Sequence, residues 1–290
     1  MDVDTRRGLD EGVPRLLALF RSLGVAASFF VTMGPDRSGM ALRRLWRPAF
    51  IAKMYRTRAW RLYGLRTVLA GTLLPSPLVG AGCPALLRQI AVEGHEVGPH
   101  GYDHVRWQDR VHHLAGARLR EDLAAAARAF EAALGARAEA SAAPGWRTTG
   151  AALLIQDEFG YRYASDVRGA TPFRPMVDGG SLRTIQIPTT MPTMDELLGQ
   201  VPDIAGALQQ AMRPGLNVFT LHAEVEGGAL LPVFRSFLES LRHAGVALLR
   251  VRDAADAVLR GEVTAGAVGR ATVRGRSGWV AMQAPVPARA

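Results

Sequence analysis

Asp2-Val3-Asp4 sets two carboxylates at i and i+2, which project from the same face of an extended segment. One can ligate a metal while the other, a few ångströms away, serves as a base; the same pattern also suits a solvated turn. His100-Gly-Tyr-Asp-His104 carries two imidazoles four residues apart, able to meet on one side of a turn or helix and offer two nitrogen ligands. Together with Asp4 they would form a three-ligand site with an open position, as a catalytic divalent metal requires. An Asp/His/His set suits zinc, manganese, cobalt or iron. Surface histidines are the plainer alternative. His222 follows the apolar run Asn217 to Leu221 and precedes Glu224 and Glu226. A histidine there serves equally well as a hydrogen-bonded structural residue. Pro144-Gly-Trp-Arg147 and Ser165-Asp166 add an arginine and an aspartate able to orient other charged groups.

Such residues act together only if strand ends gather them. Asp10 to Pro14 leads into apolar positions at Leu16, Leu17, Leu19 and Phe20; Pro14 near the first turn and Gly24 past the end predict a helix. Val25 to Val31 is an apolar run of strand length. Residues 84–93 predict a helix ending at Gly94, His95 to Gly98 a strand, and 118–134 an alanine-rich helix stopped by Gly135. Further strands are predicted at Arg162 to Ser165, Thr184 to Ile187, Asn217 to Leu221 and Val246 to Val251, with a helix at Leu230 to His243. Short strands alternating with helices predict an α/β fold, either a parallel sheet or a barrel. In that class the site lies just past the carboxyl ends of strands, where the residues above fall. From Gly261 onward, glycine, alanine, arginine and proline with weak periodicity predict a flexible basic tail over 261–290.

The 290 residues are 48% apolar and 21% charged, which excludes a disordered chain. A single cysteine, Cys83, excludes an intramolecular disulfide and a cysteine-rich zinc module. The formal net charge of +9 is concentrated. Residues 40–66 hold Arg43, Arg44, Arg47, Lys53, Arg56, Arg58, Arg61 and Arg66 with no acid, and 263–290 hold four more arginines with no acid. Trp46, Phe50, Met54, Tyr55, Trp60, Leu62 and Tyr63 interleave with the first group, which suits an anionic membrane surface or a charged helix packed on the barrel. No nucleic-acid-binding motif accompanies the charge, so a nucleic-acid partner is not expected. Met1 is followed at once by Asp2 and Asp4, without a basic n-region or apolar h-region, so export is not expected. Thr67 to Leu87 is uncharged but broken by Gly71, Pro75, Pro77, Gly80, Gly82 and Pro84, which predicts loop and buried segments rather than a membrane span.

Taken in order, Asp-x-Asp, "HEVGPHGYDH", "APGWR" and "TLHAEVEG" resemble the motif series of NodB-type polysaccharide deacetylases. More narrowly, "DVDTRRGLDEGVPRLL", "RYASDVRGATPFRP" and "IPTTMPTMDE" are similar to the subfamily of 4-deoxy-4-formamido-L-arabinose-phosphoundecaprenol deformylases. The resemblance runs from Asp2 to about Arg260. It implies a distorted NodB-type (β/α) barrel in one domain, 1–260, with a basic, aromatic helical insertion at about 36–80. It implies a divalent metal on Asp4, His100 and His104, with Asp2 as general base and His222 as general acid. Arg147 and Asp166 fall where the family orients and tunes that base and acid. The implied substrate is undecaprenyl-phosphate-linked formamido-arabinose, on the route to lipid A modification and resistance to polymyxin and cationic peptides. The implied location is the cytoplasmic face of the inner membrane, docked through Arg43, Arg44, Arg47, Lys53, Arg56, Arg58 and Arg61. Arg168 and Arg174 are candidate phosphate or sugar contacts. The family carries about five more residues before its Asp-x-Asp, so the first strand is expected to be short here. A glycan N-deacetylase and a non-catalytic lipid-binding relative are the alternatives.

Overall fold

The computed structural model describes residues 1–41, 48–57, 67 and 69–286. β1 (Asp2–Val3) pairs in parallel with β2 (Ser28–Val31), and β2 in parallel with β3 (Glu96–Pro99), in the registers Asp2 to Phe30 and Phe30 to Gly98. β4 (Ala140–Ser141), β5 (Tyr163–Ala164) and β8 (Ile185–Gln186) form a second parallel set. Single backbone bonds join the two. The Ala142 N–H donates to the Pro99 carbonyl at 3.2 Å, and the Thr190 N–H to that of Val218 at 3.0 Å. The Asp2 N–H donates to the Leu221 carbonyl at 2.8 Å, and Ala223 returns a bond to the Asp2 carbonyl at 2.9 Å. The staves close into a ring of very short strands, a distorted (β/α) barrel. As expected, β1 is short.

The helices form where apolar spacing predicts them. Val13–Leu23 buries Leu16, Leu17, Leu19 and Phe20 against Phe29, Phe234 and Phe237. Gly24 ends it in the left-handed region, at φ 64°, where its N–H reaches the Phe20 carbonyl. Pro84–Val92, Gly116–Leu134 and Leu231–His243 pack their apolar faces in the same way. Each fully buried leucine or phenylalanine contributes roughly 1.5–3 kcal/mol, so this layer rather than the brief ladders holds the ring. No helix among the described residues is long and apolar enough to cross a membrane.

Asn217 to Leu221, expected as a strand, closes the ring through single backbone bonds rather than a regular ladder, and two further expectations fail on pairing. Val246 to Arg250 forms no strand, and Val251 instead opens the helix Val251–Leu259. The ring is already closed by residues 217–222 beside β1. The alternation of Leu248, packed on the core, and Leu249, exposed, is therefore satisfied by packing alone. The second failure is the tail. β9 (Ala265–Thr272) and β10 (Trp279–Ala284) form an antiparallel hairpin, and β9 also pairs in parallel with β6 (Arg174–Val177), which continues into β7 (Gly180–Ser181). Small residues disguised the strand because close approach demands them: a Cβ on Gly266 would lie 2.6 Å from the Phe173 ring. Val280 and Ala281 are buried. The Trp279 ring carries the guanidiniums of Arg147 at 4.2 Å and Arg270 at 4.5 Å.

Within the insertion, the helix Pro48–Thr57 is formed. Arg43, Arg44, Arg47, Arg58, Arg61 and Arg66, with Trp46, Trp60, Leu62 and Tyr63 and the side chains of Phe50 and Lys53, lie outside the described residues. Arg56, expected at a membrane surface, turns inward instead. Its guanidinium donates to the carbonyls of Leu198 and, at 3.0 Å, Gly275. Turn carbonyls without ladder partners need donors, and a guanidinium supplies several at once.

Packing of the hairpin predicts that Trp279→Ala lowers the unfolding free energy by about 2 kcal/mol, from lost burial and two cation–π contacts. Urea denaturation measures it. A residue in an unpacked tail would change stability by less than about 0.5 kcal/mol.

Candidate functional site

Asp4 leaves the end of β1, and His100 follows β3 directly. Gly101 then takes φ 70°, which turns the chain under Pro144 and starts the helix His104–Arg110 at His104 itself. Asp103 caps that helix by accepting from the Arg106 N–H at 3.0 Å. The sequence spacing thus brings the two imidazoles together through a left-handed turn rather than one helix face; their ring centroids are 5.4 Å apart. His100 Nε2 lies 3.4 Å from Asp4 Oδ1, and His104 Nε2 lies 3.3 Å from Asp4 Oδ2. The three ligand atoms fall within 4.8 Å of one another.

Whether these residues fit a metal is decided by their free valences. His100 Nδ1 lies 3.0 Å from the Ala142 carbonyl, which can only accept, so the proton is on Nδ1 and Nε2 presents its lone pair to Asp4. His100 Nε2 and Asp4 Oδ1 are both buried without a hydrogen-bond partner. Burial lowers the His100 pKa and favours the neutral imidazole that a ligand must be. Burial pushes the Asp4 carboxyl up, but His104, His100 and His222 outweigh it and hold it well below the usual carboxylate range. An anionic carboxylate and two imidazoles sharing one space fit a divalent cation.

The other predicted residues divide. Asp2, nearly buried, brings Oδ2 to 3.7 Å from His100 Nε2, at the edge of the ligand set. His222 sits beside β1 through the Asp2 bridge. Its Nδ1 faces Asp195 Oδ1 at 3.9 Å, and its backbone N–H donates to Glu226 Oε2 at 2.7 Å. Asp166, expected to tune the base or acid, is turned elsewhere: Gln186 Nε2 donates to its Oδ2 at 2.9 Å, and burial pushes it up to about 6. The carboxylate facing His222 is Asp195. Arg147 is buried and lies over Trp279. Of the two candidate phosphate contacts, Arg168 pairs with Glu196 at 2.8 Å, while Arg174 donates to the Arg183 carbonyl at 2.7 Å.

Sequence reasoning assigned no role to Asp195, Glu224 or Glu226, and each positions a site residue. Glu224 Oε1 accepts from the N–H groups of Asp4 at 3.1 Å and Thr5 at 2.8 Å and from the Thr5 hydroxyl at 2.7 Å. Burial, then Asp4, push Glu224 up to about 7; burial pushes Glu226 up to about 8. The usable signal was the pair of glutamates two and four residues past His222, on a segment otherwise apolar enough to be buried.

Glu226 makes stability pH-dependent. Its carboxyl is raised from the ordinary 4.5 to about 8, so between those values the unfolded chain releases a proton that the native protein keeps. Stability then falls as pH rises through that window. Glu226→Gln, neutral throughout, is expected to gain on the wild type by a few kcal/mol between pH 5 and pH 8. Denaturant titrations at the two pH values measure this; a constant difference would mean that Glu226 is ionised in the folded protein.

Comparison with known proteins gives the same neighbourhood. Residues 4–164 match the polysaccharide deacetylase family model. The chain is 39% identical over 243 residues to a probable 4-deoxy-4-formamido-L-arabinose-phosphoundecaprenol deformylase, ArnD, of Shewanella sediminis, covering 82% of this chain and 78% of that protein. It is 29% identical to a probable deformylase of the same name from Wigglesworthia glossinidia brevipalpis, covering 95% of this chain and 98% of that one. A putative polysaccharide deacetylase from Mycobacterium smegmatis shares the fold, with a TM-score of 0.59 at 20% identity over 92% of this chain and 83% of that one. A probable polysaccharide deacetylase from Pseudomonas aeruginosa does so with a TM-score of 0.60 at 20% identity, over 88% and 75%.

Proposed function

The chain belongs to the polysaccharide deacetylase family, and from its likeness to the formamido-arabinose deformylases we propose that it hydrolyses the N-formyl group of undecaprenyl-phosphate-linked 4-deoxy-4-formamido-L-arabinose. The products are formate and the 4-amino sugar, which serves lipid A modification and, through it, resistance to cationic peptides. The observation that carries this reading is the partnerless pair His100 Nε2 and Asp4 Oδ1, beside His104 and Asp2, with His222 bridged to Asp2.

Asp4, His100 and His104 would hold a divalent ion; zinc, manganese, cobalt and iron all suit that set. When bound, the ion supplies Lewis acidity, polarising a carbonyl and acidifying water. Asp2, at the edge of that set, takes the proton of the attacking water. His222 gives a proton to the departing nitrogen, which otherwise leaves poorly. Asp195 replaces Asp166 in this scheme as the carboxylate that faces His222; Arg147 is kept as an orienting cation. The C–N bond breaks, formate takes the water oxygen, and the sugar keeps the amine. An N-acetyl glycan would use the same groups, so a glycan N-deacetylase is the competing outcome of a substrate test.

Mass-spectrometric release of formate from the lipid-linked sugar tests the reaction. Chelation should abolish turnover and metal replacement restore it; undiminished turnover in a verified metal-free sample would exclude the assignment. Asp2→Asn and His222→Ala should each cut kcat by about 10²–10⁴-fold. Both should retain stoichiometric metal, whereas His104→Ala should lose it.

The location proposed with this substrate is the inner face of the inner membrane, and its support is the acid-free basic run at 40–66. With Arg56 turned inward, Arg43, Arg44, Arg47, Lys53, Arg58 and Arg61 remain, and Arg43, Arg44, Arg47 and Arg58 serve as the test set. Changing these four to Gln should weaken sedimentation with anionic vesicles by up to ~10²–10³-fold and leave binding to neutral vesicles unchanged. Equal weakening with both vesicle types would sink the docking role.

A further inference from the structure

The hairpin expected to be a tail delivers a cation to the site wall. Its turn, between Thr272 and Trp279, carries Arg276, whose guanidinium lies 4.4 Å from the centre of the Trp146 ring. That ring stands edge-on to the His222 imidazole, with centroids 6.3 Å apart. Trp146 is held there firmly. Its Nε1 donates to the Thr189 hydroxyl at 2.9 Å, and its backbone takes φ 52°, a left-handed conformation rarely adopted by a bulky residue. Arg168 lies over the same ring at 4.9 Å.

Charge around this ring is not balanced. Arg56, through the Glu196 carbonyl, and Arg168 and Arg276, through its carboxylate, converge on the short helix Met194–Leu197, which offers Asp195 and Glu196. Asp195 faces His222, and Glu196 is taken by Arg168 at 2.8 Å. Arg276 reaches that carboxylate only at 3.4 Å, with its side chain 11% exposed. Arg6 and Arg7, nearer to Asp4 in sequence and on the wall of a cleft of about 750 Å³, are by contrast neutralised by Asp10 at 2.8 Å and Glu11 at 3.2 Å. A mostly buried guanidinium with a shared carboxylate, one aromatic ring away from His222, is suited to an anionic group on the substrate.

We propose that Arg276 is a specificity-determining residue that binds the phosphodiester of the glycolipid while its formamide lies between Asp2 and His222. This rests on the deformylase reading. C1 and C4 lie at opposite ends of a pyranose, so a phosphate on one and a formamide on the other can face Arg276 and His222 on two sides of the Trp146 ring. Arg168, held by Glu196 and by the Met191 carbonyl at 2.8 Å, acts as the fixed floor of this subsite. Arg276 is the member free to exchange Glu196 for phosphate.

The test compares two substrates, a short-chain prenyl-phosphate formamido-arabinose and the neutral methyl glycoside of the same sugar. Arg276→Gln should lower the ratio of kcat/KM for the charged over the neutral substrate by about tenfold to a hundredfold, mainly through KM, as loss of a charge-assisted contact predicts. Arg276→Lys should recover part of it. Arg270→Gln removes an equal charge from the same hairpin and should keep the wild-type ratio. An unchanged ratio in Arg276→Gln, or an equal fall in Arg270→Gln, overturns the proposal. Calorimetric titration with a short-chain prenyl phosphate separates this from failure of the reaction itself. If the wild type cleaves neither sugar, the deformylase reading falls. The phosphate role then stands only if the wild type binds the prenyl phosphate at least about tenfold tighter than Arg276→Gln, and is overturned if it does not.

Discussion

A two-residue strand has to be held from both sides for this site to exist. Asp2 and Val3 pair with Phe30 and Val31 on one flank, and on the other the Asp2 backbone exchanges bonds with Leu221 and Ala223. Asp2, Asp4 and His222 are neighbours because of that double attachment, although His222 is remote in sequence. So short a ladder carries little stability of its own, since each backbone bond contributes only about 1 kcal/mol net. Glu224 reinforces it by gathering the N–H groups of Asp4 and Thr5 and the Thr5 hydroxyl onto one oxygen. The helical layer outside supplies the rest.

The price of that reinforcement is carboxyl groups kept away from water. Glu224 and Glu226 are buried and shifted towards neutrality, while Asp4, beside them, is held anionic by the imidazoles. Environment sorts these acids into separate duties: those shifted upward serve as backbone clamps, and the one held low serves as a ligand. A glutamate near neutrality can still accept from an N–H without placing a second negative charge beside Asp4.

Local spacing made Asp2, Asp4, His100 and His104 legible in the sequence, because each pair lies within a few residues and meets through one strand or one turn. His222 was legible as a residue past an apolar run, and its partnership with Asp2 only through resemblance. Asp195 was not, because it reaches His222 through tertiary packing from the short helix Met194–Leu197. Asp166 looked equivalent on paper and is bonded to Gln186 instead. The hairpin Ala265–Ala284 was missed for a physical reason. Gly266 allows close approach to Phe173, and on β10 the buried residues Val280 and Ala281 are consecutive, so the strands show almost no hydrophobic alternation. Val246 to Arg250 shows the converse: a good alternation with no vacant edge beside it to pair with.

The position of that hairpin also orders events at the ribosome. Asp4, His100 and His104 leave the tunnel early, and the helices that pack around them follow. Strand β10 and the turn bearing Arg276 are translated well after them, yet the β10 backbone pins Arg168 through bonds with Ala281 and Gln283, and Trp279 stacks on Arg147. Domains acquire structure from the N-terminal end during synthesis, at roughly 5–20 residues per second. Once Leu221 to Ala223 have emerged to hold β1, a nascent chain can therefore assemble its ligand cluster seconds before the opposite wall of the site arrives.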